Sequence, residues 1–240
     1  MKKQELIFIV LVVVFMTLII MLIMPNKKQV IIRDKTIVDI DPTKPIIALT
    51  FDDGPNYEYT IPILDTLYEH KAVATFFIVG KTVEDNKNVL KKIEAEGHEI
   101  ANHTFDHYDL TTLNAKQIKK QIKKTEEKVS EVINGYCLNY VRPPYGRYTE
   151  EVIQAIDYPI ALWSLDSGDW TLRDSEEIAN HVISRVEDGD VIVMHDTAAH
   201  SVEATKLILS KLDKKGYQFV TLKDLYKYRK EILKNRQIYR

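Results

Sequence analysis

Cysteine is nearly absent: Cys137 stands alone in 240 residues, so no internal disulfide can form and stability must come from packing. An excess of charge of one sign is also lacking. With 33 basic and 35 acidic residues the formal net charge is -2, which leaves no large basic surface and excludes nucleic acid as a main partner. Glycine is sparse, at eight residues, and no glycine-rich phosphate or dinucleotide loop follows the first apolar run, which disfavours a cofactor-binding Rossmann domain. Neither an internal repeat nor a low-complexity tract occurs. What is present is an ordinary globular composition, 45% apolar and 28% charged, enough for one domain with appendages.

The longest uncharged run is Leu6 to Met24, which as a helix would reach about 28 Å against a hydrocarbon core of about 30 Å. A cleavable signal peptide has a shorter apolar core, of about 7 to 15 residues, that ends in small residues. Here the run ends Leu22-Ile23-Met24-Pro25-Asn26-Lys27, so a retained transmembrane anchor is expected. Lys2 and Lys3 precede it, while Lys27, Lys28, Arg33 and Lys35 follow. That count alone opposes an external domain, although long domains translocate largely regardless of charge. The expected organisation is a cytoplasmic N-terminus at 1–5, the anchor at 6–24, a basic stalk at 25–45, one domain at 46–230 and a C-terminal tail at 231–240.

Within the domain, short β-rich runs alternate with stretches of helical period, the pattern of βα units around a parallel sheet. Seven strands are expected: Ile46 to Asp52, Ala74 to Gly80, His98 to Thr104, Asn139 to Pro143, Ile160 to Asp166, Val191 to His195 and Gln218 to Leu222. Helices are expected at Ile61 to His70, Val83 to Glu96, Ala115 to Ile133, Glu150 to Ile156, Ser175 to Val186 and Val202 to Lys215. Asn114 and Asp174 or Ser175 are candidate caps, and Gly97 and Gly216 follow helix ends. A full (β/α) barrel takes about 250 residues, so the fold expected here is α/β, a distorted, incomplete (β/α) barrel of about seven units. An open doubly wound sheet fits the same alternation.

The polar residues that interrupt this apolar pattern gather at the carboxyl ends of different strands, the rim where parallel barrels place active sites. Asp52 and Asp53 end the first strand, His103 and His107 the third, Arg142 the fourth, Asp166 the fifth and His195 the sixth. Adjacent side chains of a regular strand point apart, so Asp52 and Asp53 share a site only if the strand breaks, and Gly54-Pro55 supplies the turn. Two such carboxylates need cations or donors to ionise together, and a metal on one with an arginine on the other would serve. His103 and His107 fall on one face if their segment makes a helical turn, and with Asp53 they form a two-histidine, one-carboxylate set with room for water and substrate. Asp166 is placed to hold the His195 ring and favour its protonated form, which suits a general acid.

Together these segments resemble the polysaccharide deacetylase family, which carries the NodB homology domain and is also called carbohydrate esterase family 4. Five motifs occur in order: Thr50 to Pro55, His103 to His107, Arg142 to Tyr145, Asp166 to Trp170 and Val193 to His195. The resemblance implies that Asp53, His103 and His107 bind one divalent metal, usually zinc, with Asp52 as general base and His195 as general acid. It further implies that Arg142 orients Asp52, Asp166 tunes His195, the Tyr145 backbone N–H helps hold the oxyanion, and Trp170 lines the acetyl pocket. Val193 stands where the family usually has leucine, which opens the question of substrate preference. Tyr57 and Tyr59, beyond the first motif, offer either a sugar-stacking surface or helix-start packing. The implied activity is hydrolysis of N-acetyl groups on N-acetylglucosamine units of a cell-surface polysaccharide, most simply peptidoglycan, by a single-pass membrane protein with its catalytic domain outside. An O-acetyl esterase and a non-catalytic glycan-binding domain are the competing readings.

Overall fold

The computed structural model describes residues 12–16 and 30–240. It divides into two units, Met1–Ile31 and Ile32–Arg240. In the first, residues 12–16 are helical, and the rest of the expected anchor at 6–24 lies outside the described residues. Among the described residues no helix is long and apolar enough to cross a membrane.

The second unit is an α/β fold around a parallel sheet. Its elements are β1 (Ile46–Asp52), α1 (Tyr57–Glu69), β2 (Thr75–Ile78), α2 (Lys87–Ala95), β3 (Glu99–Asn102), α3 (Ala115–Val132), α4 (Glu150–Ala155), β4 (Ile160–Ala161), β5 (Leu165–Asp166), α5 (Ser175–Ile183), β6 (Val191–His195), α6 (Ala199–Lys214), β7 (Gln218–Phe219), α7 (Leu222–Tyr228) and β8 (Ile238–Tyr239). The sheet runs β3-β2-β1-β6-β5, with β7 joined to the start of β1. Beyond β3, single parallel bridges carry the pairing through Val141 to β4, which pairs with β8. This order, curled and interrupted, is that of a distorted barrel.

Strand β1 is central and buried on both faces, as a strand covered by helices on one side and the barrel interior on the other must be. Its alternation sorts the residues. Ile47, Leu49 and Phe51 join the core shared with the surrounding helices, whereas Ile46 and Ala48 face the interior with Phe77, Ala101 and Val191. Thr50 and Asp52 continue that interior face by the same period of two. The parallel register sets Asp52 beside His195 of β6, so the two strands deliver a carboxylate and an imidazole at one level of the rim.

Several boundaries differ from those expected. The segment Asn139 to Pro143 is a single-residue bridge at Val141 rather than a strand, because Pro143 and Pro144 supply no N–H to extend a ladder. The run Ile160 to Asp166 breaks in two: Leu162 N–H reaches Tyr239 O while Ser164 N–H reaches Val191 O, so the chain changes neighbours at Trp163. Residues 32–45, expected as stalk, belong to the domain. Val38 and Ile40 pack against the interior core, and Thr36 N–H donates to Glu96 O at 2.9 Å. Residues 231–240 are likewise more than a tail, since Ile238 and Tyr239 pair with Ile160 and Ala161. Tyr57 and Tyr59, half-buried at the start of α1, pack against the helical core.

Candidate active site

The metal-ligand set is built from two irregular segments. Asp53 leaves β1 with φ at 80°, which rotates its side chain onto the rim beside Asp52 instead of the opposite face. His103 and His107 come together without a helical turn, through left-handed backbone at Thr104 (φ 67°) and His107 (φ 61°). Gln121 of α3 clamps that loop: its Oε1 accepts from Phe105 N–H and Asp106 N–H at 3.1 and 2.8 Å, and its amide donates to Asp106 at 2.7 Å. Such non-glycine conformations cost on the order of 1 kcal/mol each, and here fixed hydrogen bonds offset the cost.

The two imidazole centroids lie 4.9 Å apart. His103 Nδ1–H donates to Arg142 O at 2.8 Å, which leaves Nε2 with its lone pair toward the rim. Asp53 Oδ1 sits 3.0 Å from His107 Nε2 and 3.5 Å from His103 Nε2, buried yet without a well-formed hydrogen bond. One ligand atom from each of the three residues falls within 4.8 Å of the others. Two imidazole nitrogens and a buried carboxylate oxygen left without a hydrogen-bond partner fit a divalent cation. Burial lowers the His103 pKa, against the pull of Asp52 and Asp53, and keeps that imidazole in the neutral form a metal needs. Burial resists ionisation of Asp53, but His107 and His103 outweigh it and hold the carboxyl well below the usual range.

Asp52, by contrast, is bound on its other side by a cation. Arg142 is completely buried, and its NH1 donates to Asp52 Oδ1 at 2.6 Å and to Thr50 Oγ1 at 2.9 Å. Its Nε and NH2 donate to the carbonyls of Ala161 and Leu162, both at 2.9 Å, and its guanidinium lies 3.8 Å over the Phe77 ring. Every part of the fork is engaged, so Asp52 is held in one orientation with Oδ2 left 3.7 Å from His103 Nε2. Beneath the same turn lies Asp196, fully buried. Its backbone N–H reaches Asp52 O at 3.3 Å, and its carboxylate accepts from Thr60 Oγ1. Burial pushes its pKa up to about 7.

His195 corrects one expectation. The carboxylate against its ring is Asp169, not Asp166: His195 Nδ1–H donates to Asp169 Oδ1 at 2.7 Å, and His195 N–H to Oδ2 at 2.8 Å. Ser201 Oγ adds a third bond to Oδ2 at 2.7 Å. Asp166 instead accepts from Gly168 N–H at 2.8 Å, which closes a tight turn, and that turn carries Asp169 back against β6. Burial works against the imidazolium, but Asp169, with help from Asp52 and Asp53, raises the His195 pKa to about 9.

Asp52, Asp53, His103, His107, Asp169 and His195 open on one cleft of about 490 Å³, which Tyr145, Trp170, Val193 and Asp166 also line, while Arg142 and Asp196 lie buried behind it. Tyr145 has φ at 62°, and its ring meets His107 edge-on at 4.8 Å. Trp170 is 62% exposed and Val193 is buried at the cleft floor. The structure thus gathers every expected site residue at one rim, changing only the partner of His195. Sequence reasoning missed Thr50, Asp169, Ser201 and His200; of these Thr50 carried a signal in sharing the period of Asp52, and Asp169 one in the turn that Asp166 and Gly168 close before it.

A parallel α/β rim bearing an Asp-His-His metal set, a clamped carboxylate and a carboxylate-paired histidine defines a metal-dependent hydrolase. The family model described as Polysaccharide deacetylase matches residues 39–158, and the chain belongs to that family. It is 40% identical to the peptidoglycan-N-acetylmuramic acid deacetylase PdaC of Bacillus subtilis over 192 residues, 80% of this chain and 41% of that protein. The chain therefore spans about two fifths of that relative's length. It is also 40% identical to a peptidoglycan-N-acetylglucosamine deacetylase of Bacillus cereus, covering 77% of this chain and 70% of the relative. Among solved structures it resembles a family 4 acetyl xylan esterase from Clostridium thermocellum in complex with a cobalt ion, with a TM-score of 0.76, 30% identity and coverage of 81% and 97% of the two chains.

Proposed function

We propose that this protein removes N-acetyl groups from N-acetylglucosamine units of peptidoglycan, with zinc as its metal, as a single-pass membrane protein whose catalytic domain lies outside the cell. The observation that carries the chemistry is the pairing across β1 and β6: a carboxylate fixed by Arg142 stands level with an imidazolium fixed by Asp169, beside the Asp-His-His set. The two curated relatives support peptidoglycan as the polymer. The uncharged run Leu6 to Met24 supports the anchor.

A divalent cation held by Asp53, His103 and His107 would supply Lewis acidity toward the acetyl carbonyl and its attacking water. Asp52 takes the proton of that water on Oδ2, since Arg142 occupies Oδ1. The Tyr145 N–H serves the oxyanion, a contribution on the order of 3 kcal/mol for a preorganised donor. His195, protonated at neutral pH, gives its Nε2 proton to the departing amine, so the C–N bond breaks to amine and acetate rather than re-forming. Trp170 and Val193 bound the space for the acetyl group.

The test is acetate release by the full chain in detergent from N-acetylglucosamine oligomers and from peptidoglycan, before and after chelation and with zinc restored. Release that disappears with chelator and returns with zinc is expected. A metal-loaded protein that releases none from either substrate overturns the reading. The resemblance to an acetyl xylan esterase favours one alternative, O-deacetylation, and acetylated xylan in the same assay measures it.

A further inference from the structure

The turn that carries Asp53 is irregular, and Asp53 itself takes φ at 80°, a conformation that a non-glycine residue keeps only where its surroundings fix it. Asp196 follows His195 at the end of β6 and is completely buried. Its backbone N–H donates to Asp52 O at 3.3 Å, which holds the entry to the turn. Its carboxylate accepts the hydroxyl of Thr60 on α1, also completely buried. The oxygen of that hydroxyl accepts Asn56 N–H at 2.8 Å, which holds the exit. Between the two, Gly54 abuts the carboxylate: a Cβ there would overlap it, so the side chain that one residue lacks makes the seat of the other. Gly54 O is fixed in turn by Val79 N–H at 2.9 Å and Thr82 Oγ1 at 3.0 Å. Neither Asp196 nor Thr60 lines the cleft.

We infer that Asp196 and Thr60 are positioning residues for the metal centre: they clamp the turn from Asp52 to Asn56 at both ends and in its middle, and so fix the Asp53 carboxylate against His103 and His107. The chemistry of the pair separates this role from ordinary packing. A buried carboxylate is costly unless it is well supplied with donors, and among the described residues Asp196 has one side-chain donor, with Oδ1 left unpaired. An apolar pair of the same shape would pack there at little or no cost, but it would leave Asn56 N–H without its acceptor and the turn without its clamp. The same strand thus serves both halves of the site, since β6 presents His195 to the cleft and, one residue on, Asp196 to the turn behind it. The inference rests on the Asp-His-His set as a metal site and is independent of which glycan is cleaved.

The experiment compares the full chain with Thr60→Val, which keeps the shape of threonine and removes the hydroxyl, with Thr60→Ser, which keeps the hydroxyl, and with Asp196→Ala. Zinc affinity is read by competition with a chromophoric chelator, and folding by urea unfolding of the metal-free proteins. Thr60→Val and Asp196→Ala are expected to bind zinc about 10- to 100-fold more weakly, and Thr60→Ser to stay within about threefold of the native protein. Acetate release from an N-acetylglucosamine tetramer should fall in the two weakened variants at low zinc and return to within about threefold at saturating zinc, with KM for the glycan unchanged. Arg142 still fixes Asp52 and Asp169 still fixes His195 in those variants. A lowered urea midpoint with native zinc affinity in Thr60→Val marks a merely structural pair and overturns the inference, as does a Thr60→Ser protein as weak in zinc as Thr60→Val. If Asp196→Ala does not fold, the two Thr60 variants decide the matter alone. The expected affinity pattern without acetate release from the native protein would sink the deacetylase reading and keep the positioning role; zinc-dependent release with native affinity in Thr60→Val would do the reverse.

Discussion

Asp169 receives three hydrogen bonds on two oxygens, from His195 Nδ1–H on one and from His195 N–H and Ser201 Oγ on the other. Asparagine offers one acceptor oxygen and one NH2, so Asp169→Asn must turn an amide donor toward either the ring or the other two donors. A buried donor left unsatisfied costs about 1–3 kcal/mol. The charge is lost as well. The rise of His195 from an ordinary 6.5 to about 9 corresponds to roughly 3 kcal/mol favouring the protonated ring, at about 1.36 kcal/mol per pH unit. Because that pKa is raised on folding, the contribution is fully present below the unfolded value, about 6.5, and fades as pH rises through about 9. The stability gap between native protein and Asp169→Asn should therefore be wide near pH 6 and narrow above pH 9, read by urea unfolding. Acetate release should fall by about 10²–10⁴-fold at neutral pH, as expected for a weakened general acid, and its basic limb should move to lower pH. A bound cation depresses the limb in both proteins, so the difference between them is the quantity to measure. If Asp169→Asn kept the native limb and rate while Asp166→Asn lost both, the assignment of His195's partner would be refuted.

Arg142→Lys replaces a fork that engages four acceptors with three donors at one point. A stability loss of about 3 kcal/mol is expected, together with loss of acetate release; a variant that unfolds at the native urea midpoint contradicts it. Gly54→Ala drives a methyl into the buried Asp196 carboxylate and displaces the turn carrying Asp53. Metal affinity should weaken by about 10- to 100-fold, as for other supports of a ligand, and competition with a chromophoric chelator reads the change. Starting the chain at Asp39 rather than Val30 removes Arg33 N–H and Thr36 N–H from Glu96, whose carboxylate is buried against Lys92 at 2.5 Å. Stability should drop by about 2 kcal/mol, and equal urea midpoints for the two chains would show that residues 30–38 are dispensable.

How much of this was legible depends on how many residues each feature occupies. Strands β1 and β6 are five residues or longer and buried on both faces, so the runs Ile46 to Asp52 and Val191 to His195 coincide with the elements. Strands β4, β5, β7 and β8 hold two residues each, too few for a period of two to register, and their existence depends on neighbours distant in sequence. The same contrast governs the site. Asp52, Asp53 and His195 are each delivered by an apolar run that stops at a polar residue, which is visible without coordinates. Asp166 and Asp169 are both acidic and three residues apart, and only the path between them decides which reaches β6. A local sign existed, however. Asp166-Ser167-Gly168 is the pattern of an aspartate that accepts from its own backbone two residues on, with Gly168 free to take its φ of 74°. An aspartate occupied in closing its own turn has one oxygen committed there, and the turn it closes sends the next carboxylate inward. Read for turn chemistry rather than strand ends, the motif points to Asp169 as the residue that meets the imidazole.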